Sequence, residues 1–301
     1  MPRITRSELV GVAFILITAV LSGMRPAISK FGTQSYPPII LACFTLAFSA
    51  AAAFMIFLTK QEKAREVFSD PAEFAAIGAS SGIAMLLLYL GLQTTSSIDS
   101  SLFLQAELAY SLVACYFILK EKITATQVAF SAMVFLGAIA TLWQAGLPNL
   151  NAGALMILAV PAFYVASNLL SKGLLQRHTP EMIIAMRQAY GALILLATAL
   201  AFEAAKLAVV FNAQFLVYSA MLGIVMTGVS FCWYNAIKRM NLSKATAIGA
   251  VEVVVGGAMA FLLFGEVPTQ LQCIGAALII AGTVLLAFRV KSEQRKSSIK
   301  A

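Results

Sequence analysis

The sequence has 301 residues, of which 60% are hydrophobic and only 11% are Asp, Glu, Lys or Arg. Soluble domains carry about a quarter charged residues, so this composition excludes a soluble globular protein. The net charge is +8, but the cations flank apolar segments, as they do at membrane surfaces, and we expect no nucleic-acid partner. The four cysteines lie within apolar segments without a Cys-x-x-Cys pair, which indicates neither a disulfide framework nor a metal site.

Ten apolar segments are long enough to cross a bilayer, because a helix needs about 20 residues to span the hydrocarbon core. The first segment follows Arg3 and Arg6 like a signal peptide, but no small-residue cleavage site ends it, and we interpret it as a retained helix. Pro26 and Pro161 lie inside the first and sixth segments and predict kinked or broken helices. The predicted spans are roughly 8–28, 38–59, 74–93, 100–119, 125–143, 152–171, 182–202, 214–236, 244–264 and 270–289.

The distribution of Lys and Arg predicts the orientation of these spans. With the N-terminus in the cytoplasm, 17 of the 21 Lys and Arg residues fall on the cytoplasmic side, and only Lys30 and Lys206 fall on the other side. Cytoplasmic loops are enriched in these two residue types. We therefore expect a multi-pass plasma (inner) membrane protein with both termini cytoplasmic and a basic cytoplasmic tail over residues 291–301.

The two halves of the chain match each other. A shift of 145 residues aligns several pairs of identical residues: Tyr89 with Tyr234, Glu107 with Glu252, Glu121 with Glu266, Thr124 with Thr269, Gln127 with Gln272 and Gly137 with Gly282. Because five spans is an odd number, the second copy must enter the membrane from the opposite side. We predict an all-α integral membrane protein with ten transmembrane helices, arranged as two inverted five-helix repeats over residues 1–145 and 146–290.

The loops after the fourth helix of each half read LKEKIT at residues 119–124 and FGEVPT at residues 264–269. They resemble the signature of the ten-helix EamA-type branch of the drug/metabolite transporter superfamily. The sixth span, GALMILAVPAFYVASNLLSKGLLQRHTP, and MRQAYGA in the seventh are similar to that family as well. The resemblance implies a secondary transporter of small metabolites without a cofactor, often an exporter of amino acids or related compounds. It also implies alternating access with proton coupling or exchange.

Glu107 and Glu252 are the strongest candidates for a substrate or proton site. Each lies about eight residues into its span, where an acidic side chain costs roughly 2.5–3.5 kcal/mol to insert. Such a carboxylate can bind and release a proton or hold a substrate ammonium group; the alternative is a hydrogen bond to a neighbouring helix that serves packing alone. Glu121 and Glu266 lie in loops instead, and we expect them to cap helices or bind across the bundle.

Arg187 and Arg25 are the cations within the predicted spans. A guanidinium group can bind a substrate carboxylate through its planar set of donors. The alternatives are that Arg187 pairs with Glu252 or extends to the cytoplasmic surface, and that Arg25 is an interfacial residue.

Tyr89, near a span end, is interpreted as part of the interfacial aromatic belt. The remaining site candidates are Ser111, which shares the face of Glu107, and the deeper tyrosines Tyr110 and Tyr164, for which packing is the alternative.

Enzyme functions are disfavoured, because the sequence has a single histidine, His178, and no phosphate-binding loop motif. Two alternatives remain open: a membrane-embedded enzyme, and a non-transporting membrane scaffold or receptor. The expected partners are a small-molecule substrate and membrane lipid. Gly78 and Gly82 are spaced for a close helix contact, which favours internal packing and leaves a homodimer open.

Overall fold

The computed structural model describes residues 6–59, 70–118, 120, 124–140, 143–144, 147–148, 151–237, 239, 245 and 248–300. The helices in these ranges are α1 (Arg6–Ser35), α2 (Pro38–Thr59), α3 (Pro71–Gly91), α4 (Ser97–Leu104), α5 (Glu107–Phe117), α6 (Ala125–Ala140), α7 (Ala152–Leu174), α8 (Pro180–Phe202), α9 (Ala213–Ile237), α10 (Glu252–Phe264) and α11 (Gln270–Lys300). A 3₁₀-helix covers Ala204–Phe211, and Trp143–Gln144 pairs antiparallel with Leu147–Pro148. Within the described ranges, six helices are long and apolar enough to cross a membrane. The all-α integral membrane fold is confirmed.

Two of the helices differ from their predicted form because they continue through an internal proline. Helix α1 contains Pro26 and extends to Ser35, beyond the predicted end at residue 28, and α7 contains Pro161. Of the two predicted forms, kinked or broken, the broken form does not occur at either proline. Proline inside a membrane helix is tolerated when neighbouring groups take up the hydrogen bonds that it removes.

The predicted fourth span is divided. Instead of one helix over residues 100–119, the chain forms α4 and then α5, with a turn at Gln105 and Ala106 between them. The ninth predicted span has the same feature, because a turn at Ala250 and Val251 precedes α10.

Helix starts follow the residue types that favour them. Pro71 and Pro180 occupy the first position of α3 and α8, where a missing N–H leaves no intrahelical bond unmade. Asn151 caps α7 by accepting the N–H of Ala154 at 2.7 Å, and Ser96 caps α4 by accepting the N–H of Asp99 at 2.9 Å.

The same capping box begins α6 and α11. The side chain of Gln127 accepts the N–H of Thr124 at 2.9 Å, and Thr124 Oγ1 in turn accepts the N–H of Gln127. At α11, Gln272 accepts the N–H of Thr269 at 2.9 Å, and Thr269 Oγ1 accepts the N–H of Gln272. Reciprocal bonds of this kind satisfy two free donors at a helix start, which gives the matched Thr and Gln pairs of the two halves a physical reason.

The chain forms two compact units, and the second of them covers Arg25–Thr95 and Asn151–Phe231. In the second unit α2 packs on α8, and α3 packs on both α7 and α8. A Cβ atom added at Gly78 would lie 2.3 Å from Tyr190 Cβ, and one added at Gly82 would lie 3.0 Å from Gly191 O. These glycines therefore pack α3 against α8 within the chain, as the sequence predicts.

The first unit covers Met1–Met24, Ser96–Leu150 and Cys232–Ala301. In its described part α6 packs on α11 and α4 on α10. Gly137 lets α6 approach closely, because an added Cβ would lie 2.7 Å from Gly275 O. Each unit thus combines segments from both halves of the sequence, and the chain passes from one unit to the other within α1 and within α9.

Candidate functional site

The two acidic candidates stand at the same place in the two halves, since α5 begins at Glu107 and α10 begins at Glu252. The residue before Glu107 donates its N–H to Phe103 O at 3.0 Å, and the residue before Glu252 donates to Ile248 O at 3.2 Å. Both bonds span three residues, where an α-helical bond spans four. Such tightened turns inside helices often mark a hinge or a functional position.

Glu252 has a defined partner in the first unit. Nε2 of Gln105 donates a hydrogen bond to Oε1 of Glu252. Gln105 lies two residues before Glu107, so the Glu252 carboxyl group lies at the turn that precedes Glu107. An amide N–H can donate to a carboxyl oxygen whether the acid is charged or protonated. The contact is therefore compatible with proton binding and with simple packing.

The backbone around Glu252 is closely packed. An added Cβ at Gly23 of α1 would lie 2.5 Å from Glu252 O, and one at Gly256 would lie 2.6 Å from Ser101 Oγ of α4. Glycine at both positions lets α1 and α4 approach the start of α10. This crossing fixes the position of the Glu252 backbone while its side chain remains partly exposed.

Tyr110 and Ser111 belong to α5, one turn after Glu107, and both are partly exposed. The Tyr110 ring packs edge-on against Phe135 of α6, with ring centroids 6.2 Å apart and an interplanar angle of 85°. Packing thus accounts for the position of Tyr110. Ser111 follows Glu107 by four residues and shares its helix face, as the sequence predicts.

Arg25 and Tyr164 are brought together in the second unit. Nη2 of Arg25 donates to Tyr164 Oη at 3.4 Å, and Arg25 Cζ lies 5.7 Å from the centroid of the Tyr164 ring. Because α1 continues to Ser35, Arg25 lies ten residues, or about 15 Å, before the end of the helix. Arg25 therefore lies inside the helix and not at its end.

Tyr89, which the sequence did not indicate as a site residue, lies in the same unit. It is 1% exposed, so the interpretation as part of the interfacial belt is wrong. Its Oη accepts a hydrogen bond from Ser29 Oγ at 3.4 Å and donates to Thr45 Oγ1 at 3.3 Å. Ser29 follows Arg25 by four residues on α1, and this helical spacing is the sequence signal that could have identified the cluster.

Arg187 lies on α8, in the second unit, and is partly exposed. Its Nε atom is buried and makes no hydrogen bond to any residue that the structure describes. The next residue, Gln188, is fully buried, and neither atom of its amide group has a hydrogen-bond partner among the described residues. Buried polar atoms are normally hydrogen-bonded. Arg187 and Gln188 are therefore an exception among the described residues of α8.

Two further acids cap helices. Glu266 accepts the N–H groups of Ser97 at 3.0 Å and Ile98 at 3.2 Å, at the start of α4, which confirms its predicted structural role; Glu121 lies outside the described residues. Glu203 accepts the N–H of Ile40 near the start of α2 at 2.9 Å. Carboxylates are favourable at helix N-termini because of the free N–H groups there.

An ion cluster joins the start of α3 to the segment after α7. Arg177 donates to Asp70 and to Glu73 at 2.7 Å each. Nε2 of His178 lies 2.9 Å from Asp70 Oδ2. The hydrogen bond from His178 and the charge of Arg177 hold the pKa of the Asp70 carboxyl below its usual range. In the described part of the chain, no group of three His, Cys, Asp or Glu residues is arranged to hold a metal ion.

Comparison with known proteins identifies relatives along most of the chain. It is similar to a probable terminal-alkyne amino-acid exporter of Streptantibioticus cattleyicolor, with 26% identity over 204 residues that cover 66% of this chain and 67% of that protein. It is also similar to a probable amino-acid metabolite efflux pump of Salmonella typhimurium, with 24% identity over 296 residues that cover 94% of this chain and 97% of that protein.

A solved crystal structure shares the fold, with a TM-score of 0.66 and 18% identity over 94% of this chain and 98% of the other. The profile of the EamA-like transporter family matches twice in succession, over residues 9–143 and over residues 151–288. These two matches account for almost the whole apolar part of the sequence. The chain is therefore a multi-pass membrane protein that belongs to the EamA-like transporter family.

Proposed function

We propose that the protein exports small metabolites, amino acids or related compounds, by alternating access. Membership of a transporter family supports solute movement, and two relatives are named for the export of amino-acid compounds. Alternating access in such proteins exposes a site near the middle of the membrane to each side in turn. A proton moving in the opposite direction, or exchange with a second solute, drives export.

The observation that carries this proposal is the equivalent placement of Glu107 and Glu252. Both acids begin a helix directly after a tightened turn inside a predicted membrane span. An acidic side chain at such depth usually has a function, because its insertion is unfavourable. Glu107 and Glu252 are proposed to bind protons or the ammonium group of the substrate, with Ser111 and Tyr110 beside Glu107. Arg187 is proposed as a further polar contact for the solute.

The topology is part of the same proposal. Residues 1–145 and 146–290 form the two inverted repeats, and both termini lie in the cytoplasm. The contact of Arg177 with Asp70 supports the predicted alternation of the loops, because it joins two loops that the Lys and Arg distribution assigns to the same side of the membrane.

Transport in proteoliposomes tests the proposal. Purified protein is reconstituted with an acidic lumen, and accumulation of each labelled L-amino acid is followed with and without the pH gradient. For a proton-coupled antiporter the gradient drives accumulation. Glu107→Gln and Glu252→Gln are expected to abolish this accumulation and to retain exchange of labelled for unlabelled solute, because the amide keeps the shape of the acid but does not titrate.

Glu73→Gln is the matched control, since Glu73 is an exposed acid at the start of α3. This variant is expected to accumulate solute like the parent. If both membrane-embedded variants also accumulate solute and respond to the gradient like the parent, the proton site is not at Glu107 and Glu252.

A further inference from the structure

We propose that Arg25, together with the hydroxyl groups of Tyr164 and Tyr89, binds the carboxylate group of the transported solute. This inference rests on the proposed transport function and adds the class of substrate, a solute that carries a carboxylate. The site lies within the second compact unit, and every contact used to argue it is internal to that unit.

Arg25 lies well inside the apolar stretch of α1. Sixteen residues of apolar helix precede it from Leu9, and ten follow it to Ser35. Arg25 therefore lies about 24 Å from one end of this apolar stretch and about 15 Å from the other. This stretch is long and apolar enough to cross a membrane. Charged residues within such segments are rare and usually mark a path for a substrate or an ion.

Tyr164 is one of the residues that Arg25 contacts. Tyr164 Oη is a neutral acceptor, and the bond to it is long at 3.4 Å, compared with about 2.9 Å for a typical N–H···O bond. The Tyr164 ring also lies within cation–π distance of the guanidinium. A carboxylate could replace the phenol oxygen as acceptor and gain a charge-assisted bond, which is stronger than the bond it replaces.

A chain of hydroxyl groups lies beside this pair. Ser29 Oγ donates to Tyr89 Oη at 3.4 Å, and Tyr89 Oη donates to Thr45 Oγ1 at 3.3 Å. Ser29 follows Arg25 by four residues on α1, so this chain joins α3 to α1 one helical turn after Arg25. Tyr89 is buried, and its hydroxyl group can act as donor or acceptor.

Ligand binding to purified protein tests this site without a pH gradient. Each L-amino acid is compared with its C-terminal amide, which keeps the side chain and the ammonium group and lacks the carboxylate charge. Apparent dissociation constants come from the rise in unfolding temperature over a concentration series. For the amino acids that bind, we expect the amide to bind at least about 10-fold more weakly.

Substitutions at Arg25 and Tyr164 distinguish a role in solute binding from a role in packing alone. Arg25→Gln is expected to weaken binding of the acid about 10- to 100-fold, because a hydrogen bond to a charged group is lost, and to leave binding of the amide unchanged. Arg25→Lys keeps the charge without the planar donor pair and is expected to lose less. Tyr164→Phe keeps the aromatic ring and is expected to weaken acid binding several-fold.

Arg177→Gln is the control, because it removes an arginine of the same unit from an exposed position; it is expected to leave the preference for the acid unchanged. The proposal is overturned if the parent binds acid and amide equally or binds neither. It is also overturned if Arg25→Lys and Tyr164→Phe both keep the full preference. Loss of proton coupling in the Glu107 or Glu252 variants would not alter this preference, so the two proposals can fail separately.

Discussion

At the scale of single residues, Arg177 holds together two segments that are distant in sequence. It donates to Asp70 and Glu73, and His178 adds a second contact to Asp70. The Arg177 and Glu73 side chains are 46% and 47% exposed, whereas Asp70 is 24% exposed. Exposed ion pairs contribute little because water screens them. Asp70, with the depressed pKa, is therefore the residue of this cluster whose loss is expected to matter most.

We expect Asp70→Asn to lower the unfolding temperature at neutral pH and to have no effect in strong acid. A carboxyl group whose pKa is depressed in the folded protein stabilises it above the ordinary Asp pKa of about 3.9. That contribution is lost as the pH falls through the lower, folded-state pKa. Thermal unfolding of the parent and of Asp70→Asn over a pH series measures the difference.

Glu73→Gln serves as the comparison for this series, because it removes a more exposed partner of Arg177. Its effect at neutral pH is expected to be the smaller of the two. A difference between Asp70→Asn and the parent that stays the same from neutral to acid pH would show that the carboxylate charge is not responsible.

Residue positions also explain why the Arg25 cluster was only partly predictable. Arg25 and Tyr164 were candidates from the sequence because they are a charge and an aromatic residue inside apolar segments. The helix end after Arg25 was predicted too early, at residue 28, whereas α1 continues to Ser35. The buried position of Tyr89 depends on which helices pack together. The hydrophobic periodicity of a single helix does not determine that packing.

At the scale of the elements, the helix starts were the most predictable feature. Helices α3 and α8 begin at Pro71 and Pro180, close to the predicted span starts at residues 74 and 182. The turn before Glu107 was not predicted, because no glycine or proline lies at Gln105 or Ala106 to signal an interruption. Local propensity favours a continuous helix there, and no local feature of the sequence accounts for the turn.

The crossing of α3 and α8 yields a prediction about packing. An added Cβ at Gly78 would lie 2.3 Å from Tyr190 Cβ and 3.1 Å from Gly191 N. We expect Gly78→Ala to destabilise the protein by about 1–3 kcal/mol, because the helices must separate to accept the methyl group. The measurement is thermal unfolding of the purified variant.

Gly173→Ala is the matched control on α7, because an added Cβ there would have no described residue within 4 Å beyond its own helical turn. Alanine favours a helix over glycine, so this variant is expected to be neutral or slightly more stable. If the two variants unfold at the same temperature, the close contact at Gly78 does not limit stability.

At the scale of the whole molecule, composition and charge were sufficient for the all-α membrane fold, and the loop motifs were sufficient for the family. The division into compact units was not foreseen. Each unit takes helices from both halves of the chain, and sequence similarity between the halves carries no information about which helices pack together. Which solute binds depends on that packing, so the sequence predicts a transporter without predicting its solute.

The most direct test of the carrier mechanism is the access of water-soluble reagents to the two acids. Glu107→Cys and Glu252→Cys are made in a background without the four native cysteines, and Ile77→Cys, at a fully buried position, is the negative control. A membrane-impermeant thiol reagent is then applied from each side of the membrane. We predict that both new cysteines react from both sides and that the control does not. If neither cysteine reacts from either side until the protein is denatured, the acids do not line a transport path.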